Sequence, residues 1–309
     1  MATQGAPNLQ QWRSLGHFVA VGAQRIFCVD SAPDGRAGPA LVLIHGFPTA
    51  SWDFAKIWPG LCACSRVIAL DLLGFGFSSK PRDHHYSIIE QADIVEAIVA
   101  AFGVASYHVL AHDYGDSVAQ ELLARDDARS SRRLASVCFL NGGLFPEAHR
   151  PRLIQRLLCG PLGALVSRLT SRRLFERSMT AIFGSQTPPS ATELDAFWTL
   201  LAHDGGQRIA HRLIRYLPER LRQRERWVGA LTAARCPLAL IDGAADPVSG
   251  AHMVARWRVV VDKGYVAELP GIGHYPQVEA PDEVLEHYLA FRASIGLPRT
   301  RGPQTTGAP

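Results

Sequence analysis

The sequence predicts an α/β fold in which helices cover both faces of a largely parallel sheet. Short apolar runs alternate with segments of helical periodicity through the first half of the chain, an order typical of parallel sheets. The 309 residues, 47% of them hydrophobic, suffice for one large core with an insertion. The alternation stops near residue 146, which places the insertion in the second half.

Eight apolar segments are strand candidates, and the first two predict a hairpin joined at Gly22. Ile88, Val95 and Phe102 recur at helical spacing and predict a helix from 88 to 102. A further helix is expected over 118–124, and Pro281 begins the last one, over 281–293. The predicted strands are 17–21, 25–30, 41–45, 66–70, 107–110, 134–140, 237–242 and 265–269.

Residues 146–230 show helical patterns interrupted by Gly160-Pro161, Gly184 and Pro188-Pro189, without a convincing buried strand. This predicts a helical cap over the carboxyl ends of the strands, where ligands bind in open α/β sheets. The expected organisation is a first core part over 1–145, the cap over 146–230, a second core part over 231–296 and a disordered tail over 297–309.

Positive charge is concentrated in the predicted cap. Residues 146–230 contain 14 Arg, no Lys and 7 acidic residues, whereas the whole chain has a net charge of only +4. Such a segment could steer anionic substrates, contact a membrane surface or simply form a solvated helical face. Aromatic residues interleaved with basic ones, which would stack on bases, are absent, so no nucleic-acid partner is expected.

The six cysteines lack the spacing of a zinc site or of a disulfide scaffold, so reduced core residues and no metal are expected. No cofactor motif is recognised. Residues 1–13 are polar, and no run of 18 apolar residues occurs. We therefore expect a cytoplasmic protein without a transmembrane segment, a monomer or homodimer that acts on a small-molecule substrate.

Residues 111–116, Ala-His-Asp-Tyr-Gly-Asp, follow an apolar strand and precede a helix, which is the context of a nucleophile elbow. Ala111 and Gly115 supply the small residues that this sharp turn needs. Asp113 occupies the position usually held by serine. A carboxylate that attacks an acyl group gives an unstable anhydride, whereas attack on a saturated carbon gives a hydrolysable ester. Alkyl-enzyme chemistry at Asp113 is therefore predicted.

Candidates for the remaining catalytic groups lie at other strand ends. The backbone N–H groups of Phe47, after the strand 41–45, and of Tyr114 are the predicted oxyanion donors. His274, in a loop bounded by glycines, is the predicted general base. Asp246 is the predicted acid that orients it, with Asp242 as the competing residue.

The nucleophile, the acid and the histidine follow one another along the chain in the order found in α/β-hydrolases. Together with these motifs, that order makes nearly the whole chain resemble the α/β-hydrolase fold, in the branch of epoxide hydrolases and haloalkane dehalogenases. The resemblance implies a mostly parallel sheet of eight strands with helices on both faces and an inserted cap. Within that branch, further segments are similar to the vertebrate mesoderm-specific transcript group: 71–78, 84–87, 112–123, 141–143 and 226–231.

The resemblance also bears on the leaving group. The dehalogenase halide clamp usually has an indole next to the nucleophile and Asn or Trp after the His-Gly turn, where this chain has Tyr114 and Phe47. The turn His45-Gly46-Phe47-Pro48 agrees with the His-Gly-x-Pro turn of epoxide hydrolases. Those enzymes protonate the epoxide oxygen from two tyrosines of the cap. The predicted cap of this chain contains one tyrosine, Tyr216, which is the predicted acid. The alternative role of Tyr216 is packing within the cap.

The leading prediction is thus an epoxide hydrolase. The alternatives are a haloalkane or haloacid dehalogenase, another ester hydrolase, and a non-catalytic ligand-binding relative of these enzymes. Further cap residues that could contribute to the site are His203 and His211. The expected substrate pocket is lined by His45, Pro48, Trp198 and Trp227.

Overall fold

A single sheet of eight strands forms the centre of the computed structural model, which describes residues 5–32 and 38–297. Its order is β1-β2-β4-β3-β5-β6-β7-β8; β2 pairs antiparallel with both β1 and β4, and the remaining pairs are parallel. The predicted sheet and hairpin are confirmed. The strands are β1 (Gly16–Val21), β2 (Gln24–Asp30), β3 (Ala40–Ile44), β4 (Val67–Leu70), β5 (Tyr107–His112), β6 (Leu134–Leu140), β7 (Leu238–Gly243) and β8 (Tyr265–Leu269).

The central strands are buried on both faces, which is why they appear in the sequence as continuous apolar runs. In β3, Leu41 and Leu43 enter one hydrophobic core, whereas Val42 and Ile44 enter the core on the opposite face. Alternate side chains of a strand point to opposite faces, so each strand contributes to both cores.

Helices cover both faces of this sheet, as predicted. Those of the core are α1 (Leu9–Leu15), α2 (Trp58–Cys64), α3 (Ile88–Ala101), α4 (Tyr114–Asp127), α12 (Ala251–Val260), α13 (Pro276–Glu279) and α14 (Pro281–Ser294). Residues of α1, α2 and α14 pack on one face, and residues of α3, α4 and α12 pack on the other. The helices expected at 88–102 and 281–293 match α3 and α14 to within one residue. The elbow helix α4 starts at Tyr114, four residues before the predicted start.

Between β6 and β7 the chain forms α5 (Leu153–Cys159), α6 (Gly163–Leu169), α7 (Arg172–Thr180), α8 (Ala191–Ala202), α9 (Ala210–Leu213), α10 (Tyr216–Arg222) and α11 (Arg224–Ala233). The predicted cap boundary at residue 230 falls inside α11, which packs against α4 of the core. Apart from Leu297, the predicted tail lies outside the described residues. None of the described helices combines the length and the apolar character needed to cross a membrane.

Candidate active site

The turn from β5 into α4 holds Asp113 in a conformation that non-glycine residues rarely adopt, with φ +47° and ψ −101°. Two glycines make room for this turn. A Cβ on Gly115 would overlap the carbonyl oxygen of Ile44 in the neighbouring strand, and one on Gly46 would lie 2.9 Å from the Asp113 Cβ. The backbone strain is therefore maintained by close packing of the elbow against the end of β3, as at functional turns in general.

The Asp113 carboxylate is buried, with 2% of the residue exposed, and Oδ2 accepts a hydrogen bond of 3.1 Å from the backbone N–H of Phe47. The amide of Tyr114, the other predicted donor, makes no hydrogen bond to this carboxylate within the part of the chain that the structure describes. Burial alone would raise the pKa of Asp113, but His274 and Arg220 outweigh it and hold the pKa below its usual value. Asp113 is thus ionised at neutral pH.

His274 follows β8 and is brought directly to Asp246, which follows β7. Its Nδ1 lies 2.7 Å from Oδ2 of Asp246, and Nδ1 is the donor because an ionised carboxylate only accepts. Burial would lower the pKa of His274, but the Asp246 and Asp113 carboxylates raise it to about 9. The His274 charge in turn outweighs the effect of burial on Asp246 and lowers its pKa to about 2. The pair is ionic at neutral pH.

Asp246 is fixed by four further donors, which orient its carboxylate toward His274. Oδ1 accepts from the backbone N–H of Val248 at 2.8 Å. Oδ2 accepts from the backbone N–H of Ser249 at 3.0 Å and from its Oγ at 2.8 Å. Asn141, at the end of β6, donates from Nδ2 at 3.2 Å. The sequence reasoning gave Asn141 no role, although a polar side chain at a strand end next to the elbow strand is a usable signal.

Asp242, the competing acid, is also buried but has neither carboxylate oxygen hydrogen-bonded in the described structure. Burial and the nearby Asp246 charge raise its pKa well above the usual value. Of the two candidates, the structure therefore brings only Asp246 to His274.

Arg220 of α10, in the segment predicted to be the cap, reaches into the elbow, a contact that the sequence did not indicate. Its Nη2 donates to the backbone oxygen of Asp113 at 2.8 Å and lies 3.6 Å from Oδ1 of the same residue. Its Nε donates to Oγ of Ser117 at 2.6 Å. The side chain is 2% exposed, and its guanidinium carbon is 4.5 Å from the ring centroid of Tyr216. A buried cation thus joins the nucleophile to the predicted acid.

Tyr216 lies over the elbow, one helical turn before Arg220. Its ring is 4.9 Å from the ring of Tyr114 and 6.1 Å from that of Phe47, between centroids. Burial and the charge of Asp113 raise the pKa of the Tyr216 hydroxyl, which therefore stays protonated at neutral pH. The ring of the predicted acid thus packs against the two residues whose amides were predicted to serve as oxyanion donors.

A cavity of about 100 Å³ lies between the sheet core and the helices predicted to form the cap. The core contributes Phe47, Pro48 and His274 to its wall, and the cap contributes mainly apolar residues of α5 and α7 with Gln155 as one of the polar groups. A concave, mostly apolar space with a few polar groups is typical of a small-molecule site. Of the four predicted pocket residues, Pro48 is in this lining.

Three predicted pocket residues lie outside this lining. His45 is buried beneath the turn, where Nε2 accepts from the N–H of Leu72 at 3.0 Å and Nδ1 faces the oxygen of Gly46 at 2.8 Å. Trp227 belongs to α11, and its indole donates to Glu121 of α4 at 2.8 Å. Trp198 of α8 packs against Phe175 of α7, with 5.7 Å between the ring centroids. Packing and hydrogen bonding, not substrate contact, explain these three positions.

The alternative cap histidines also have other surroundings. His203 packs edge-on against Phe77 at 5.2 Å, and Nδ1 of His211 lies 3.2 Å from Oγ of Ser167. Neither histidine contributes to the lining of the cavity.

A family model described as the alpha/beta hydrolase family matches residues 41–287, which include the elbow, Asp246 and His274. The chain belongs to this family. The alpha/beta hydrolase assignment agrees with the resemblance found in the motifs and with the sheet order.

Two relatives match most of this alpha/beta hydrolase. The mesoderm-specific transcript homolog protein of Bos taurus is 44% identical, over 93% of this chain and 89% of that protein. The putative hydrolase LipZ of Mycobacterium tuberculosis (strain ATCC 25618 / H37Rv) is 42% identical, over 93% and 98%. Solved structures of the same fold include an epoxide hydrolase and haloalkane dehalogenases. DbeA from Bradyrhizobium elkani USDA94, a dehalogenase, is 24% identical with a TM-score of 0.75, over 91% of this chain and 98% of that chain.

Proposed function

We propose that this hydrolase uses Asp113 as a nucleophile that forms a covalent alkyl ester, and that its substrates are epoxides. One observation carries the proposal: an ionised, buried carboxylate lies at the elbow with Oδ2 held by the Phe47 amide, and both Phe47 and His274, the partner of Asp246, line the cavity. A carboxylate in this position favours attack on a saturated carbon, because the resulting ester can be hydrolysed.

In the first step, Oδ1 of Asp113 attacks an epoxide carbon while Oδ2 stays bound to the Phe47 amide. The carbon–oxygen bond of the epoxide breaks, and its electron pair goes to the epoxide oxygen. That oxygen takes a proton from the hydroxyl of Tyr216. The support for this donor is the position of the Tyr216 ring over Phe47 and Tyr114. Its raised pKa means only that the hydroxyl still carries its proton when the reaction begins.

In the second step, a water molecule attacks the ester carbon of Asp113 and gives a proton to Nε2 of His274. In the free protein His274 is charged, with a pKa of about 9 that depends partly on the Asp113 carboxylate. Ester formation removes that negative charge, so the pKa of His274 falls and its neutral form becomes available as a base. The acyl carbon–oxygen bond of the ester then breaks, its electron pair goes to the diol oxygen, and that oxygen takes the remaining proton of the attacking water. The proton that His274 released before it acted as a base restores the Tyr216 hydroxyl. The released diol thus leaves an ionised Asp113, a charged His274 and a protonated Tyr216, as in the free protein.

Arg220 positions the nucleophile in this scheme. Its hydrogen bonds to the Asp113 carbonyl and to Ser117 hold both sides of the elbow, and its charge favours the ionised carboxylate. The charge also lies against the ring of Tyr216, where it favours the negative charge that develops on the hydroxyl oxygen as the proton leaves.

The test is to trap the ester. His274→Gln leaves attack by Asp113 possible but removes the base, so incubation with a panel of epoxides and alkyl halides should leave added mass on the peptide that contains Asp113. His85→Gln, at an exposed loop histidine, is the matched control and should turn over without accumulating an adduct. An adduct from epoxides supports the proposal, and one from halides alone would assign the site to dehalogenation. Turnover by Asp113→Ala equal to that of the parent would refute the mechanism.

A further inference from the structure

The outer surface of the cap carries a concentration of exposed apolar side chains. Of the eleven large apolar residues exposed within the described ranges, six lie between residues 153 and 174, and Leu153 and Leu169 are 71% and 69% exposed. Single apolar residues are ordinary on a surface, whereas a contiguous group marks a contact site. Leu153, Leu157, Leu169 and Leu174 are contiguous, because all four line one surface groove formed by α5, α6 and α7. We call this the cap groove.

The cap groove is also strongly cationic. Its lining includes Arg150, Arg152, Arg156 and Arg177. From residue 150 to 177 the chain has seven Arg and one acidic residue, Glu176, a net charge of 7 − 1 = +6. Over the described ranges, none of the four arginines in the groove forms an ion pair. The groove therefore presents leucines and uncompensated guanidinium groups on one surface.

The cap groove adjoins the cavity of the candidate active site. Four residues line both spaces: Arg152, Ile154, Leu174 and Ser178. The groove is much the larger space, at about 910 Å³ against about 100 Å³ for the cavity. The groove and the cavity therefore share part of their walls, and His274 lies in the lining of the cavity.

We propose that the cap groove docks on an anionic phospholipid bilayer and draws apolar substrates from it. Helices with exposed leucines and Arg-rich flanks bind at membrane interfaces, where guanidinium groups pair with phosphates and leucines enter the acyl boundary. A second copy of the chain is a poorer occupant, since a two-fold contact would place this excess of arginines against itself. Docking concerns the cap surface, so it does not depend on the reaction proposed for Asp113.

The experiment measures co-sedimentation of the full-length protein with vesicles of phosphatidylcholine alone and with vesicles that also contain phosphatidylglycerol. Two triple variants separate the electrostatic and the apolar contributions to binding. R150Q/R156Q/R177Q removes positive charge from the groove, and L153Q/L157Q/L169Q removes its apolar surface. None of these residues lines the cavity. At about fivefold per arginine near an anionic surface, the first variant should weaken binding to the mixed vesicles by about 100-fold. The second should also weaken it, at least tenfold.

Controls carry substitutions of the same chemical kind on the core surface. L15Q/V259Q replaces residues that are 53% and 73% exposed, and R258Q removes an exposed arginine; both should bind as the parent does. Thermal melts of all variants establish that they are folded, and Leu153→Gln alone replaces the leucine triple if that variant melts early. Absence of binding to mixed vesicles, equal binding to both vesicle types, or unchanged binding of either triple variant would overturn the proposal. So would a dimer in light scattering that the leucine variant dissociates without any effect on vesicles.

Discussion

Replacing Arg220 by Met removes the buried cation that joins the cap to the elbow and keeps most of the apolar volume of the side chain. The substitution deletes the hydrogen bonds to the Asp113 carbonyl and to the Ser117 hydroxyl and leaves both buried acceptors without that donor. It also removes a positive charge 3.6 Å from Oδ1 of Asp113. Stability and catalysis should therefore both respond.

The magnitude follows from these contacts. A hydrogen bond from a charged donor contributes about 1.5–3 kcal/mol, and removing one partner of a buried charged contact costs about 3–5 kcal/mol. We expect Arg220→Met to lower the free energy of unfolding by about 3–5 kcal/mol. Arg220 also lowers the pKa of Asp113, so its loss raises that pKa and moves the acidic limb of kcat/KM to higher pH. At neutral pH, kcat/KM should fall by about 10- to 100-fold, because the elbow loses its position.

Denaturant unfolding and a pH profile of kcat/KM measure the two effects. Arg222→Met, on the exposed side of the same helix, is the matched control. It should change the free energy of unfolding by no more than about 0.5 kcal/mol and kcat/KM by no more than about twofold. Arg220→Lys keeps the positive charge but lacks the planar guanidinium group that makes several hydrogen bonds at once. It should therefore restore the acidic limb of the pH profile more fully than it restores the free energy of unfolding. An Arg220→Met protein with parental stability and an unshifted acidic limb would refute the assigned role.

Two further predictions concern the acid and the ion pair. Tyr216→Phe should lower the rate of epoxide opening by about 10²- to 10⁴-fold and leave any halide release unchanged, as measured by single-turnover kinetics; an unchanged epoxide rate would remove Tyr216 from the mechanism. The pair of His274 and Asp246 should stabilise the fold fully between about pH 4 and 6.5. Its contribution is lost as pH falls from the usual Asp value of 3.8 toward about 2, and as pH rises from the usual His value of 6.5 through about 9. In the Asp246→Asn variant, the free energy of unfolding measured with denaturant should vary less with pH than in the parent. The same pH dependence in variant and parent would contradict the stabilising role of the ion pair.

Much of the fold was predictable because its signals are local. Buried strands such as β3 and β5 are continuous apolar runs, and Asp113 and His274 lie in short motifs with few structural alternatives. The helices α1, α2 and α12 were not predicted, and α4 begins earlier than expected because the elbow turn itself supplies its first residues. Terminal turns of helices depend on tertiary contacts that a periodicity does not contain.

The cap contacts could not be predicted for the same reason. Arg220 is one of 14 arginines in the predicted cap, and only the three-dimensional structure distinguishes the one that reaches Asp113 from those that face solvent. Trp227 was expected at the pocket, but the packing of α11 against α4 directs its indole to Glu121. Its position in the sequence, within a segment interpreted as cap, carried no information about that packing.

A single turnover of the unmodified protein in H₂¹⁸O, with protein in excess over epoxide, distinguishes a covalent ester on Asp113 from direct hydrolysis by water. The water that hydrolyses the ester attacks the carbonyl carbon of Asp113. The peptide containing Asp113 should therefore gain one ¹⁸O, while the first diol formed carries the unlabelled oxygen of the carboxylate. Label found in the diol, with the peptide unchanged, would show that water attacks the epoxide directly and would contradict the account.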